Sequence, residues 1–408
     1  MPVTVAATRN DWDSVLAGVR AAAEGFAKDR SSRQVRRHLD AADFDRLAGT
    51  GFLRVGAPRS SGGLWEDVKR STRPTCESLR ALAHGDPSVA LVCSMHPAVL
   101  SFWLVLKRAP APYTAAWREQ QRWVAETALD GAWWGTITSE PGSGGDVGKS
   151  RALATSPPGP LSLRGEGEPA YVLNGQKHFG SGSGICSYMV TTAIPASEES
   201  ADWFFLDMRE AKWDGSNGVK LVAEWDGHGM TATQSHAFEF TQFPVTRMAW
   251  PGNLRVVAGE AGAFVSSVFT AVVVGTVESA FAAARGQVAR KRESLRPYEL
   301  VEWARVETEV WLMRQAYEGM LRAVEAKGSG ALLDALHAKT GIAELAESVT
   351  GRICRVIGGG SFHRASHFGA AFEDVRALGF LRPPWGLAFD SILQETWHEV
   401  EQQATSNR

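Results

Sequence analysis

The stretch that most constrains the fold is AGAFVSSVFTAVVVGTVESAFAAA, residues 261–284. A run this long and apolar either crosses a membrane or lies inside a large helical core. Ser266, Ser267, Thr270, Thr276 and Glu278 interrupt it. No second such segment is expected elsewhere in the chain, so the run reads as a buried bundle helix. A buried helix needs neighbours, and three more striped helices are predicted at 297–326, 331–357 and 385–401, beside one at 261–292.

The rest of the chain has two other textures. Residues 1–130 read as helical: DWDSVLAGVRAAAEGFAKDR has apolar positions at helical spacing, and glycine stops the helix in AADFDRLAGTGFLRVGAP. In DPSVALVCSMHPAVLSFWLVLKR, Asp86 is placed as an N-cap and Pro87 in the first turn. Residues 131–252 change period. The runs SYMVTTAI, DWFFLDM, GVKLVAEW and SHAFEFTQFPV are β-branched and aromatic, broken by Gly, Asp, Pro and Ser. An Asn-Gly turn falls within AYVLNGQKHFGSG. These predict a small antiparallel β domain. From 253 to 408 the helical texture returns. A polar loop is expected at 155–169.

Composition excludes more than it selects. The net charge of −2 over 408 residues makes no electrostatic case for nucleic acid or an anionic membrane. The N-terminus MPVTVAATRNDWDS meets charge before any apolar core, so a cytoplasmic protein without a signal peptide is expected. Cys76, Cys93, Cys186 and Cys354 are scattered, and are read as buried reduced thiols rather than disulfides or metal ligands. The stretch GSGGDVGKS, 142–150, fails as a phosphate loop. The motif needs its first glycine at 143, where Ser143 stands, and the Pro- and Gly-rich sequence after it cannot start a helix.

Four segments resemble, in order, the motifs of the acyl-CoA dehydrogenase superfamily: ITSEPGSGGDV, YVLNGQKHFGSGSG, AVVVGTVESAFAAARGQVARKR and IGGGSFHRASHFGAAFEDVRA. The resemblance covers nearly the whole chain. It implies an α+β fold: an N-terminal helical domain (1–130), a central small antiparallel β-barrel with a flavin loop (131–252), and a C-terminal four-helix bundle (253–408). It also implies a flavin, FAD or FMN, and a homotetramer. The loop at 138–146 would lie along the flavin. Its glycines, Gly144 among them, allow close backbone approach. The hydroxyls of Thr136, Thr138 and Ser139 can bond the pyrimidine edge. Phe179 stands where the family packs an aromatic residue near the ring. Ser181 stands where a hydroxyl reaches flavin N5, with plain turn chemistry as its alternative. Gly145 replaces a serine that many dehydrogenases carry. Lys291, with Arg292 and Arg296, falls in the stretch that aligns with a phosphate-binding segment, but Ser294 and Leu295 stand in place of its Phe-Gly, and a solvated helix end is the alternative. Gly358 and Gly359 would approach the nucleotide of a neighbouring subunit.

The reaction turns on a missing carboxylate. A thioester dehydrogenase must remove an α-proton with a carboxylate. The two places where the family carries one hold Arg382 and the pair Ala282 and Ala283. Glu278 lies more than a helical turn away and is read as structural. The stretch KHFGSGSG is close to the pattern of the family's two-component flavin monooxygenase branch, which includes dibenzothiophene monooxygenases and nitrosugar synthases. That branch implies reduced flavin from a separate reductase, O2 and a small organic substrate. It also places a histidine near the flavin. His96 is the candidate, against a satisfied core residue as alternative. A second histidine of that branch has no match, since Leu381 and Arg382 occupy its region. The expectation is a monooxygenase with Ser181, His96 and Arg382 at the reacting centre. An acyl-thioester dehydrogenase with a non-standard base and a non-catalytic scaffold are the alternatives. Trp133, Trp134, Trp225, Phe362 and Trp385 are noted as possible lining for an aromatic region, with most tryptophans expected in the core.

Overall fold

The computed structural model describes residues 9–156 and 171–406; most of the polar loop expected at 155–169 lies outside them. Six helices come first: α1 (Arg9–Lys28), α2 (Arg30–Arg33), α3 (Ala41–Gly49), α4 (Val68–Ala83), α5 (Pro87–Leu104) and α6 (Thr114–Leu129). Asp86 caps α5 as the sequence predicts, its carboxylate accepting from the Val89 amide at 3.0 Å. Seven strands follow: β1 (Trp134–Thr136), β2 (Leu153–Thr155), β3 (Tyr171–Gly180), β4 (Tyr188–Pro195), β5 (Asp202–Asp207), β6 (Val219–Ala223) and β7 (His236–Arg247). The chain ends in α7 (Leu254–Lys291), α8 (Pro297–Lys327), α9 (Leu332–Ile357), α10 (His367–Val375) and α11 (Trp385–Ser406).

The strands close into a five-membered ring, β4–β2–β3–β7–β5 and back to β4, with β1 added on β4 and β6 on β7. Closure removes the unpaired edges of a small sheet. The pairing is not wholly antiparallel: β1 and β2 both run parallel to β4. Both are three-residue strands, and β3 lies between each of them and β4 along the chain. Local alternation marks a strand but says nothing of which distant strand it joins.

The apolar run of 261–284 is the middle of α7. Val272, Val273, Val274 and Val277 are fully buried against helices of both helical regions, each contributing roughly 1.5–3 kcal/mol. A Cβ on Gly275 would lie 2.2 Å from the Arg80 carbonyl oxygen, so glycine here permits α4 and α7 to touch. The helix begins seven residues before the predicted start because Leu254 and Val257 pack on the barrel cluster that includes Trp203. A second helix, α5, is also long and apolar enough to cross a membrane, contrary to the expectation of a single such segment. Both sit mostly inside the protein, α5 with 83% of its span buried. Glu278 tolerates the α7 interior because Arg80 and Arg314 bond its two carboxylate oxygens at 2.7–2.8 Å. The four cysteines are free. Three are buried and Cys354 is half-buried, a departure from the fully buried reading.

Candidate functional site

The stretch 142–150 is built as a loop and short 3-10 turn leading into β2, with no helix after the Gly-Lys-Ser. Its anchor is a residue that the sequence reading passed over. Glu140 is buried, and its carboxylate accepts from Lys177 Nζ, from Ser150 Oγ at 2.5 Å and from the Arg151 amide at 2.6 Å. Burial opposes charge on Glu140, but Lys177 outweighs it and holds the carboxyl below its usual range. Lys177 is fully buried on β3 and also donates to the Thr192 carbonyl at 2.5 Å. One carboxylate thus ties the loop to the hairpin that follows it. The only sequence signal for this was a lysine within an otherwise strand-like run.

The hairpin end lies beside the loop. The His178 amide donates to the Ser139 carbonyl at 2.8 Å. The next residue, Phe179, has φ +59°, in the left-handed region that an aromatic residue occupies only under constraint. The β3–β7 ladder shifts register between Lys177 and Gly180, which absorbs the turn. The strained residue keeps its ring 58% exposed, edge-on to Trp225 at 6.1 Å. Ser181, two residues on, is buried and bonds Ser235 Oγ at 2.8 Å.

Arg382 closes the loop from the bundle side. Its guanidinium donates to the Gly145 carbonyl, to Thr138 Oγ1 at 2.5 Å and to Ser139 Oγ at 3.3 Å. Burial lowers its pKa to about 10, with Asp146 opposing the shift, so it remains a cation at neutral pH. A Cβ on Gly145 would sit 2.7 Å from Pro384 Cγ, and the residue has φ +81°. The Arg382 segment therefore approaches where a serine side chain has no room. Lys339, buried on α9, holds this segment by donating to the Pro383 carbonyl at 2.8 Å.

Thr138, Ser139, Gly144, Phe179, Ser181 and Arg382 thus belong to one loop–hairpin–arginine assembly. Thr136 sits at its base, its hydroxyl donating to the Val190 carbonyl at 3.2 Å. Gly144 has φ +62° and open space where a side chain would stand. Three neutral hydroxyls, a guanidinium, an open glycine and an exposed ring fit the polar edge and flat face of a flavin ring.

The remaining candidates lie elsewhere. His96 is fully buried in α5, with Nε2 donating to the Leu53 carbonyl at 3.1 Å and Nδ1 accepting from the Trp134 amide at 3.2 Å. Burial lowers its pKa to about 4, against the bond to Leu53. Both nitrogens are committed within the core. Lys291 is exposed at the C-terminal end of α7, and Gly358 and Gly359 follow α9. Among the described residues no hydrogen bond or ion pair joins these three to the loop. Ala282 and Ala283 are exposed on α7. The aromatic residues do not gather: Trp134 stacks on Tyr188, Trp133 packs on Phe44 and His96, Trp385 stacks on Phe389, and Phe362 is 97% exposed.

A cavity of about 1020 Å³ opens between α2, α9, α10 and the loop after β6, with Arg30, Arg37, His228, Phe362 and Asp374 among its walls. Asp374 accepts from the Met230 amide at 2.5 Å. Burial lifts its carboxyl to about 7, with that bond opposing and Asp86 and Glu373 adding to the rise. Arginines, histidines and carboxylates share the lining with apolar groups such as Val35 and Phe372. The same loop carries Trp225, which meets Phe179 but does not itself line the cavity.

No family model matches the chain. The L-evernosamine nitrososynthase of Micromonospora sp. is 24% identical over 392 residues, 90% of this chain and 85% of that protein. The FMN-bound structure of TdsC from Paenibacillus sp. A11-2, a dibenzothiophene monooxygenase, superposes with a TM-score of 0.73 at 18% identity, covering 93% of this chain and 96% of the other. The structure of KijD3 with FMN and a dTDP-linked 3-amino-4-keto sugar superposes with a TM-score of 0.78 at 18% identity, covering 97% and 96%. The fold is the acyl-CoA dehydrogenase-like fold that these structures share.

Proposed function

We propose that the chain is a flavin-dependent monooxygenase that binds reduced flavin, uses O2 and oxidises a small organic substrate. The observation that carries this reading is Arg382. Where a thioester dehydrogenase needs a carboxylate to take an α-proton, this chain presents a guanidinium bonded to Gly145, Thr138 and Ser139. Glu278 does not replace the missing base. Burial opposes its charge, but His84, Arg80 and Arg314 hold it well below the carboxylate range, so it takes up no proton near neutral pH.

In this reading Thr138, Ser139, Gly144 and Arg382 would hold the polar edge of a bound flavin, Phe179 would pack on its ring, and Ser181 would offer its hydroxyl to the central nitrogen. Bound reduced flavin supplies the two electrons that let one oxygen atom of O2 enter the substrate while the other leaves as water. Glu140 and Lys177 hold the loop in register and touch no ligand. His96 is a core residue. Arg382 neutralises negative charge arising near the loop. The cavity lined by His228 and Asp374 is the substrate chamber. Its arginines and carboxylates suit an ionised polar substrate better than an apolar polycycle. The relatives named for a nitrososynthase and for a dTDP-linked amino sugar support that class. A separate reductase supplies the reduced flavin, and the cation-rich α7 end, with Lys291, meets phosphate only across subunits.

The test is two assays on the purified protein. Substrate-dependent O2 uptake with externally reduced FMN is expected, with no bleaching of bound oxidised flavin by a panel of acyl-CoAs. Bleaching by any acyl-CoA refutes the monooxygenase reading. A protein that takes up neither oxidised nor reduced flavin is a scaffold.

A further inference from the structure

The hydroxyl of Ser181 is the first of three in a row. Ser181 Oγ lies 2.8 Å from Ser235 Oγ, Ser235 Oγ lies 2.7 Å from Thr233 Oγ1, and Thr233 Oγ1 lies 2.9 Å from the Met230 carbonyl oxygen. All three side chains are buried. A carbonyl has no proton to give, so the Thr233 proton lies toward Met230. Thr233 can then only accept from Ser235, whose single proton is used in that bond. Ser235 in turn can only accept from Ser181. The direction of the whole row follows from its last member. Ser181 spends its proton on Ser235 and offers lone pairs alone to anything on its other side. The Met230 carbonyl also accepts from Trp225 Nε1 at 2.9 Å and from the Thr233 amide at 3.2 Å, so the Thr233 hydroxyl shares it with two N–H donors.

We propose that Thr233 and Ser235 are positioning residues that make Ser181 an obligatory acceptor, so that the site selects reduced over oxidised flavin. This rests on the flavin reading above. Reduced flavin carries a proton on its central ring nitrogen and can donate to Ser181. Oxidised flavin presents a bare lone pair there, which would face the lone pairs of Ser181. Preference for the reduced cofactor is thereby written into hydrogen-bond polarity, without a charge at that position. A chain that receives reduced flavin from a partner and releases it oxidised gains turnover from such a bias.

The test compares anaerobic dissociation constants for dithionite-reduced and oxidised FMN, by fluorescence and absorbance titration, in three variants. Wild-type protein is expected to bind the reduced form at least tenfold more tightly. Ser235→Ala frees the Ser181 proton and is expected to cut the reduced-to-oxidised ratio by about tenfold, chiefly by tightening oxidised FMN. Thr233→Val, close in shape, lets Ser235 turn and is expected to act in the same direction. Ser235→Thr keeps the hydroxyl and should keep the wild-type ratio. A ratio unchanged in both Ser235→Ala and Thr233→Val, in variants that still bind FMN, overturns the inference and leaves the flavin reading intact. Wild-type protein that binds neither form overturns both.

Discussion

Arg382 and Thr138, 244 positions apart in sequence, meet at 2.5 Å and join the C-terminal helical region to the glycine loop of the β-barrel. The same guanidinium donates to the Gly145 carbonyl, so one cation serves both limbs of the loop. Arg382→Glu would remove the cation and set a carboxylate against the Gly145 carbonyl oxygen, which can only accept. Bonds from a charged donor are worth about 1.5–3 kcal/mol each. Loss of two, with repulsion added, predicts a fall of 100-fold or more in substrate-dependent O2 uptake. Arg382→Lys keeps the charge but loses the fork, and a fall of about tenfold is expected. Activity gained by Arg382→Glu with an acyl-CoA would instead point to a dehydrogenase whose base had been restored.

Lys339 gives the Arg382 segment a pH dependence. It is buried, pairs with no carboxylate among the described residues and donates to the Pro383 carbonyl. Burial lowers its pKa to about 8, against about 10.4 in an unfolded chain. Between those values the unfolded chain keeps a proton that the folded protein has lost, so stability rises with pH across that window. The rise approaches about 1.4 kcal/mol per pH unit for one full proton. Below pH 8 both states are protonated and the contribution is flat. Lys339→Met is expected to abolish this part of the rise, read as the difference between wild-type and variant urea unfolding at pH 7.5, 8.5 and 9.5. Parallel profiles would show that Lys339 titrates at its ordinary value.

The Glu140–Lys177 pair predicts a larger loss. Replacing one member of a buried pair strands the other charge at roughly 3–5 kcal/mol. Lys177→Met is expected to lower stability by that amount, measured by denaturant unfolding near neutral pH. Glu140→Gln combined with Lys177→Met should cost less than Lys177→Met alone, because no charge is left unpaired. A double variant less stable than Lys177→Met would show that the pair contributes through more than mutual neutralisation.

Most of the architecture was legible from local patterns. The apolar run of α7, the Asp86 cap and the strand-like runs of the middle segment each carry their own period. Pairing was not legible: β2 runs beside β4 because the barrel must close, and no local spacing records that. At the site, the glycine loop and KHFGSGSG were visible because their residues are contiguous. Ser235 and Thr233 stand more than 50 positions from Ser181, and Glu140 was lost among glycines that drew attention to the backbone. His96 carries a reactive side chain in an apolar helix, and only the partners at Leu53 and Trp134 show that both nitrogens are in use.

The last prediction concerns assembly. On α11, Phe389, Leu393 and Trp397 recur every fourth residue and are 48%, 52% and 57% exposed, which places them on one face. On α8, Tyr298, Val301 and Trp311 are exposed to a similar degree. Apolar groups that recur along one helical face mark a surface awaiting a partner, and closed symmetric oligomers are the commonest way for one chain to cover its own patch. A dimer or tetramer is therefore expected by light scattering at micromolar concentration. Leu393→Glu together with Trp397→Glu should place two charges in that contact and shift the mass toward the monomer, with helix content by circular dichroism unchanged. If wild-type protein already runs as a monomer, the stripe is not an interface between copies. If the double variant keeps the oligomer, the contact lies on another face.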